Sequence, residues 1–217
     1  MSLSISAQSL PRPVPVYSES DILGVPPGSW EFDWFGLPVR YRAHFRFALY
    51  KERLTFCFEA NKEPECEDLP SGTFRAGLWE RDVAEFFLMG PNGDYQEFNL
   101  SPSGAWWSAS FTGHRQQSEE LPCPSVVVAA CSGGGRWTAQ LSVALVDIKP
   151  LQGFCLSQCR LNPTAILAPG QPEYLCYGHS SGGQPDFHRE DNFLPIVVHP
   201  GQDRGFAAGL GTNARRG

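Results

Sequence analysis

The sequence predicts an all-β protein, a two-sheet antiparallel β-sandwich. The chain holds 22 Gly and 19 Pro in 217 residues, with 12% aromatic side chains. This composition is typical of short strands joined by turns rather than of long helices. About ten strand-like runs follow one another at a spacing of roughly 8–15 residues, as in a sandwich. The apolar share of 41% is enough for a core.

A single sandwich domain is predicted over residues 31–200. Residues 1–30 are rich in Ser and Pro and indicate an extended lead-in, and residues 201–217 are Gly-rich and indicate a flexible tail. The first 17 residues lack the basic start and apolar core of a secretory signal, which predicts a cytoplasmic protein. An exported form with its leader removed would look similar.

Charge, the length of apolar runs and cysteine spacing argue against several classes of partner. With 17 Lys+Arg against 23 Asp+Glu the net charge is −6, which argues against nucleic acid or an anionic membrane surface. No apolar run reaches the roughly 18 residues of a membrane span. The count of 7 cysteines is odd, and most of them stand within apolar or strand-like runs, which indicates small buried side chains. On a strand, Cys155 and Cys159 would lie about 13 Å apart, too far for a shared zinc, so we expect no metal and no cofactor.

Alternation and turn residues predict the individual strands. Residues 39–47 alternate strictly between apolar and polar positions, and residues 54–59 are the expected hairpin partner. The acidic stretch 59–68 follows as a loop. Its five carboxylates leave calcium open, but no EF-hand spacing is present and a solvated loop is favoured. The other predicted strands are 83–89, 95–100, 105–112, 126–131, 137–146, 154–161 and 173–177.

One carboxylate interrupts the most apolar of these strands. Within residues 83–89 every side chain except that of Glu85 is apolar. A charged carboxylate in a core strand is costly unless it is paired, hydrogen-bonded or facing a wet concavity. Trp79 stands just ahead of the strand, and a flat aromatic beside a carboxylate suits a ligand such as a sugar ring.

The length of the next turn decides which side chains accompany Glu85. A three-residue loop at 91–93 pairs Glu85 with Asn99 and places Tyr95, Glu97 and Asn99 on the face of Glu85, whereas a two-residue loop pairs Glu85 with Leu100. Burial cost favours the three-residue loop, because the polar groups then lie together. A purely structural Glu85, accepting hydrogen bonds from Asn99, Tyr95 or an arginine such as Arg160, is the alternative.

Three motifs in this order resemble the DOMON-like proteins, which are related to the family-9 carbohydrate-binding modules. The likeness extends from about residue 39 to residue 198. It rests on Leu78-Trp79-Glu80-x-Asp82-x-x-Glu85-x-Phe87-Leu88, on Tyr95-x-Glu97-Phe98-Asn99-Leu100-Ser101-Pro102-Ser103-Gly104 and on Pro185-Asp186-Phe187-His188. The resemblance implies a two-sheet antiparallel sandwich that binds a sugar.

The resemblance also implies roles for single residues. Trp79 matches one wall of an aromatic sandwich around the sugar, and Glu85 matches a hydrogen-bonding glutamate. Asn99 stands where the sugar-binding members have an arginine, and His188 stands where they have the second tryptophan. Histidine is a poorer stacking surface than tryptophan, and asparagine lacks the fork of donors of arginine. A second interpretation of His188 is a buried imidazole tied to Asp186 or Arg189.

The leading prediction is therefore a non-catalytic module that binds a carbohydrate or a similar small polar cyclic ligand. Haem binding through Met89 and a histidine is the alternative, because some DOMON relatives bind haem in this way. An enzyme using Glu85, Glu97 and Asp82 as paired carboxylates is less well supported, since no catalytic signature is present. The predicted ligand-binding residues are Trp79, Glu85, Asn99, His188, Glu97, Tyr95, Tyr177 and His179, and the haem alternative adds His199.

Overall fold

The computed structural model describes residues 12–118, 124–178 and 182–200. Within these ranges the regular elements are strands and short 3-10 turns, and no helix is long and apolar enough to cross a membrane. The strands are β1 (Val14–Tyr17), β2 (Gly28–Ser29), β3 (Ala43–Tyr50), β4 (Arg53–Ala60), β5 (Val83–Met89), β6 (Tyr95–Leu100), β7 (Trp106–Phe111), β8 (Val126–Ser132), β9 (Trp137–Ala144), β10 (Arg160–Leu167), β11 (Glu173–Cys176) and β12 (Leu194–His199). The 3-10 turns are Ile22–Gly24, Leu78–Glu80, Leu145–Asp147, Lys149–Leu151, Leu156–Gln158 and Glu190–Asn192.

The strands form two layers, which confirms the predicted β-sandwich. One layer has the order β8-β9-β4-β3-β1 with β2 beside β3, and the other has the order β7-β6-β5-β10 with β11 beside β10. Strand β12 joins the layers, because it pairs with β10 at one end and with β1 at the other. The sheet is mixed: β1 runs parallel to β12 and to β3, whereas the other pairings among the described strands are antiparallel.

Aromatic side chains fill the space between the two layers. Phe47 and Phe56 of the first layer contact Phe86 of the second at ring-centroid distances of 5.6 and 5.1 Å. Phe86 in turn stacks on Phe98 at 4.7 Å. These four side chains are almost fully buried. The inner faces of β5 and β6 are therefore used by the core, and their other faces are left for a site.

The predicted lead-in contributes a strand to the sandwich. Val14 and Val16 of β1 are fully buried, and Trp30 packs against Phe45 at a ring-centroid distance of 5.0 Å. Residues 14–30 therefore belong to the folded unit. Residues 1–11 and the predicted tail at 201–217 lie outside the described residues.

The alternation predicted for residues 39–47 is confirmed from Ala43 onward, where β3 begins and pairs with β4.

The strand predicted over 154–161 is wrong in its first part. Residues 156–158 form a 3-10 turn, which the Gln158 side chain supports by accepting a hydrogen bond from the Cys155 amide at 2.8 Å. The 13 Å separation assumed for Cys155 and Cys159 therefore does not apply. No cluster of three or more metal-ligating side chains occurs within the described ranges.

The acidic stretch after β4 is a loop whose carboxylates have separate partners. Glu65 lies 2.8 Å from the Lys62 ammonium, and Glu67 lies 3.4 Å from Arg75. The Glu63 side chain accepts a hydrogen bond from the Gly135 amide at 2.8 Å. These carboxylates are thus distributed over different contacts rather than turned toward a common point.

The register predicted for the β5–β6 hairpin is confirmed. Glu85 pairs with Asn99, and Phe87 pairs with Glu97. The connection is the three-residue loop 91–93, closed by a hydrogen bond from the Gly90 amide to the Asp94 carbonyl at 2.9 Å. Gly93 has φ +90°, a left-handed conformation that glycine adopts without strain. The polar side chains of both strands consequently share the outer face of the sheet.

Candidate functional site

A cavity of about 370 Å³ lies on the outer face of the second layer. Its floor is formed by β5, β6 and β7, and its walls come from β10, β11, the 3-10 turn before β5 and two loops. Aromatic side chains predominate among the lining residues, with a few polar groups between them. The lining residues are Trp79, Glu85, Phe87, Glu97, Trp107, Phe111, Arg115, Gln117, Ile166, Tyr174, Pro185, Phe187 and His188.

One cross-strand row places Glu85 at the centre of the floor. Thr164 of β10, Glu85 of β5, Asn99 of β6 and Trp107 of β7 are successive partners across the sheet. The carboxylate of Glu85 accepts a hydrogen bond from Thr164 Oγ1 at 3.1 Å. Because residues directly opposite each other on neighbouring strands point to the same face of a sheet, all four side chains of the row point to the cavity side.

The Glu85 carboxyl is held in a setting that favours its protonated form. The residue is only 3% exposed. Burial is the main cause that raises the pKa of Glu85 well above its usual range, and the nearby Glu97 carboxyl raises it further. The hydrogen bond from Thr164 acts in the opposite direction and is the weaker effect.

Glu97 is the second buried acid of the floor. Burial raises the pKa of Glu97 to about 7, although Asn99 and Arg115 both act to lower it. Glu97 occupies a diagonal position relative to Glu85 on the neighbouring strand, and such Cβ atoms lie within about 8 Å of each other. The floor therefore carries two carboxyl groups that compete for ionisation.

Asn99 lies beneath this pair and is fully buried. Its amide is near enough to Glu97 to lower the pKa of that carboxyl. Nevertheless, neither Nδ2 nor Oδ1 of Asn99 has a hydrogen-bond partner of normal geometry among the described residues. Asn99 is therefore a buried polar side chain on the cavity face of the sheet, directly beside the Glu97 carboxyl group.

His188 closes one side of the cavity as a neutral imidazole. Its Nδ1 lies 2.9 Å from the Tyr95 hydroxyl, and that hydroxyl accepts a hydrogen bond from the Arg115 amide at 3.1 Å. Burial and the Arg115 charge lower the pKa of His188 to about 4. We assign the Tyr95 hydrogen to the bond with Nδ1, which leaves Nε2 protonated and 3.9 Å from Glu97 Oε2.

An ion-pair cluster centred on Asp186 ties the loops at the rim together. Asp186 accepts hydrogen bonds from Arg115 Nε and Nη2 at 3.1 and 2.9 Å and from His114 Nε2 at 2.8 Å. Burial would raise the pKa of Asp186, but these hydrogen bonds outweigh it and the pKa is lowered. The contact of Asp186 with His188 runs through the His188 backbone amide at 3.2 Å rather than through the imidazole. The loop after β7 is thus fastened to the segment that carries His188.

Trp79 forms the exposed wall of the cavity. Gly77, with φ +83°, precedes the 3-10 turn Leu78–Glu80, and the buried Leu78 anchors that turn. The Trp79 side chain is 42% exposed and meets Trp107 edge to face, with ring centroids 5.3 Å apart and an interplanar angle of 64°. An apolar ring face is therefore open to solvent beside the carboxyl pair.

The structure brings most of the predicted site residues together. Trp79, Glu85, Glu97 and His188 line the cavity, whereas Tyr95 and Asn99 are buried directly beneath them. Tyr177 does not line it. Its ring packs edge to face on Phe45 of the sandwich core at 4.9 Å. The predicted His179 lies outside the described residues.

The residues proposed for haem or catalysis have other contacts. Met89 is buried, and its sulfur accepts a hydrogen bond from Arg160 at 3.1 Å. His199 stacks on Tyr17 with ring centroids 4.8 Å apart. Asp82 is fully buried and accepts hydrogen bonds from the Lys62 ammonium and the backbone amides of Glu65 and Ala168. Asp82, the third carboxylate of the catalytic alternative, therefore has a structural role as a hydrogen-bond acceptor away from the cavity.

Several lining residues were missed by sequence reasoning. Trp107 could have been found, because it is the β7 partner of Asn99 and alternation from Asn99 points to it. Tyr174 lies in the strand predicted at 173–177, but no register was assigned to that strand. Arg115 sits in a loop at φ +56°, and no pattern in the sequence places its side chain. Phe187 belongs to a motif in which only the neighbouring His188 was assigned a role.

Comparisons with known proteins support the fold. No protein-family model matches the chain, and no curated protein matches it. Among solved structures, a candidate carbohydrate-binding protein from Bacteroides uniformis is 15% identical with a TM-score of 0.63, over 87% of this chain and 98% of that chain. Two structures of a family-9 carbohydrate-binding module from Caldicellulosiruptor kristjanssonii also match.

The module in complex with cellotriose has a TM-score of 0.56 at 10% identity, over 88% of this chain and 96% of that chain. The module in complex with glucose has a TM-score of 0.53 at 8% identity, over 88% and 99%. The TM-scores show that the fold is shared, and at identities this low the likeness concerns the fold alone. The chain is therefore a β-sandwich of the kind found in these carbohydrate-binding proteins.

Proposed function

We propose that the chain is a non-catalytic binding module whose cavity takes up a saccharide ring. The observation that carries the proposal is the position of Trp79, an exposed ring edge to face with Trp107, beside the buried carboxyl groups of Glu85 and Glu97. A saccharide has apolar C–H faces and polar edges. It would lie against the Trp79 ring and exchange hydrogen bonds with the carboxyl groups and the Nε2–H of His188.

The fold comparison supports the same class of ligand. Two of the similar structures are those of a module in complex with cellotriose and with glucose. The narrower assignment of the chain to the DOMON-like proteins stays a prediction. A neutral His188 in place of a second tryptophan leaves one side of the proposed ligand without a large stacking surface, so we expect affinity of about micromolar Kd.

The carboxyl groups near the motif differ in how they are placed. Glu85 and Glu97 lie in the floor of the cavity, on adjacent strands and the same face of the sheet. Asp82, the third carboxylate near the motif, is held by Lys62 on the framework.

The proposal is tested by calorimetric titration of the full chain with glucose, cellobiose and related saccharides. Trp79→Ala removes the stacking surface, and we expect affinity to fall roughly tenfold or more. Phe74→Ala is the matched control, because Phe74 is 43% exposed and packs edge to face on Trp106 at 4.8 Å, outside the cavity. Equal affinities for Trp79→Ala and the wild type would contradict the stacking role, and no heat with any saccharide would overturn the proposed function.

A further inference from the structure

Within the ranges that the structure describes, the acid pair in the cavity floor has no cationic side chain of its own. Among the described residues, neither Glu85 nor Glu97 forms an ion pair with lysine or arginine. The nearest basic group is His188 Nε2, 3.9 Å from Glu97, and this imidazole is neutral. Two buried carboxyl groups without a counter-charge are costly, because burial and mutual repulsion both act against ionisation.

Arg115 acts on the pair only from a distance. It lines the cavity and lowers the pKa of Glu97, but its guanidinium donates two hydrogen bonds to Asp186, at 3.1 and 2.9 Å. Among the described residues its ion pair is with Asp186 and not with either carboxyl group of the floor. The floor remains an acidic surface enclosed by apolar rings.

The aromatic rings of the cavity add a second feature that favours a cation. Phe87, Trp107 and Phe111 lie on the floor strands β5 and β7 beside the carboxyl groups, and Tyr174 and Phe187 lie in the walls. The negative faces of aromatic rings attract cations, and the attraction grows when water is excluded. Arrangement of several rings around one cation is a common mode of ammonium recognition in proteins.

Asn99 provides an independent indication that the floor is built for a polar group. It is fully buried on the cavity face between Glu85 and Trp107, and neither atom of its amide has a hydrogen-bond partner of normal geometry among the described residues, although the amide is near enough to Glu97 to act on it. Its oxygen is an acceptor next to two carboxyl groups. A ligand group with several N–H donors would therefore meet several acceptors at this position.

We propose that the saccharide taken up by the cavity carries a protonated amine, and that Glu85 and Glu97 bind this ammonium group beneath the ring. The inference rests on the proposed function and names the ligand class as an amino sugar. An ammonium group supplies the positive charge that the pair lacks and offers three donors. A neutral saccharide would leave at least one carboxyl group in need of a proton.

The test is a calorimetric comparison of glucosamine, glucose and N-acetylglucosamine with the full chain at about pH 7, where the amine is largely protonated. N-acetylglucosamine keeps a nitrogen substituent at the same carbon but is uncharged. We expect glucosamine to bind about tenfold or more tightly than either neutral sugar, as a charge-assisted hydrogen bond predicts.

Glu97→Gln then tests the carboxyl group itself. The ratio of the glucosamine affinity to the glucose affinity is expected to fall toward about one, because the amide carries no charge. Glu52→Gln, in the exposed turn between β3 and β4, removes the same charge from the other layer and should leave the ratio unchanged. If Glu97→Gln does not fold, Glu85→Gln replaces it, and the sugar series on the wild type decides independently.

Each outcome discriminates between the two proposals. Equal affinities for glucosamine and glucose would overturn the amine site and leave the saccharide module standing. Retention of the full preference in Glu97→Gln, or in Glu85→Gln where that variant replaces it, would also overturn the amine site. Absence of binding by these three sugars would overturn this inference, and if cellobiose and the related saccharides also gave no heat, the proposed function would be overturned with it.

Discussion

At the scale of single residues, the cavity floor contains buried ionisable side chains that lower the stability of the fold. Glu85 is buried with the Thr164 hydroxyl as a donor, and Glu97 is buried beside the amide of Asn99. A hydrophobic pair of similar size would fill these positions without the cost of burying ionisable groups. Groups of this kind occur preferentially at sites where a ligand compensates them.

The pKa of Glu97 predicts a pH-dependent stability. Because the folded-state pKa is raised from 4.5 to about 7, the folded protein binds a proton more tightly than the unfolded chain. The contribution of Glu97 is therefore fully present below about pH 4.5 and is lost as the pH rises through about 7. We expect the wild type to lose on the order of 3 kcal/mol across this window through Glu97.

The measurement compares urea unfolding of the wild type and Glu97→Gln at several pH values. The difference between the two free energies of unfolding should move in favour of the variant as the pH rises. Glu85 adds to this change, because loss of the Glu97 charge removes one cause that raises the pKa of Glu85, whereas His188, with a pKa lowered to about 4, contributes an opposite slope in the wild type. A difference that is constant across the window would contradict the raised pKa.

The sequence was informative about some residues of the site and not about others. Glu85 was found because a carboxylate in an apolar strand is conspicuous, and Glu97 because register links it to Glu85. Tyr177 was assigned to the cavity, yet its side chain packs on Phe45 of the core. Arg115 depends on a left-handed loop residue and a long-range ion pair with Asp186, neither of which leaves a local pattern.

At the scale of elements, a buried ion pair fixes the start of β5. Asp82 precedes the strand and accepts hydrogen bonds from Lys62 Nζ at 2.8 Å, the Glu65 amide at 2.8 Å and the Ala168 amide at 2.7 Å. These partners belong to the acidic loop and to the end of β10. Asp82 thus links the acidic loop and the end of β10 to the start of β5. Because Asp82 lies between Trp79 and Glu85 in the sequence, these contacts fix the position of both cavity residues.

Removal of Asp82 should destabilise the fold strongly. In Asp82→Ala the Lys62 ammonium loses its buried partner and two amides lose their acceptor, so we expect a loss of about 3–5 kcal/mol in the free energy of unfolding. Asp191→Ala breaks an exposed pair with Arg189 and should cost less than about 1 kcal/mol. Similar losses in the two variants by chemical denaturation would show that Asp82 does not anchor the strand.

Elements with strong local signals were predicted well. The β5–β6 register followed from the loop at 91–93 and from the burial cost of Glu85. The 3-10 turn at 156–158 was missed, because it depends on hydrogen bonds within the turn that compete with strand formation. Strand β1 was missed as well, since four residues give a weak alternation signal and their pairing partner, β12, is far away in the sequence.

At the scale of the whole molecule, β1 and β12 connect the two layers. β12 pairs with β10 of the cavity layer at Leu194 and with β1 at Ile196. It also continues directly from the segment that carries Phe187 and His188. The contacts of β1 therefore stabilise the sandwich as a unit and, through β12, the chain that forms one wall of the cavity.

Replacement of one β1 side chain tests this role of the first strand. Val16 is fully buried, so Val16→Ala should lower the free energy of unfolding by about 2–3 kcal/mol and the Tm by roughly 5–10 °C. Val127→Ala, in a strand position that is 62% exposed, is the matched control and should change stability by less than about 0.5 kcal/mol. A single thermal transition is expected for both variants, because β1 and the cavity layer belong to one cooperative unit. If Val16→Ala were as mild as its control, or if it introduced a separate early transition, β1 would be an appendage rather than a strand on which the sandwich depends.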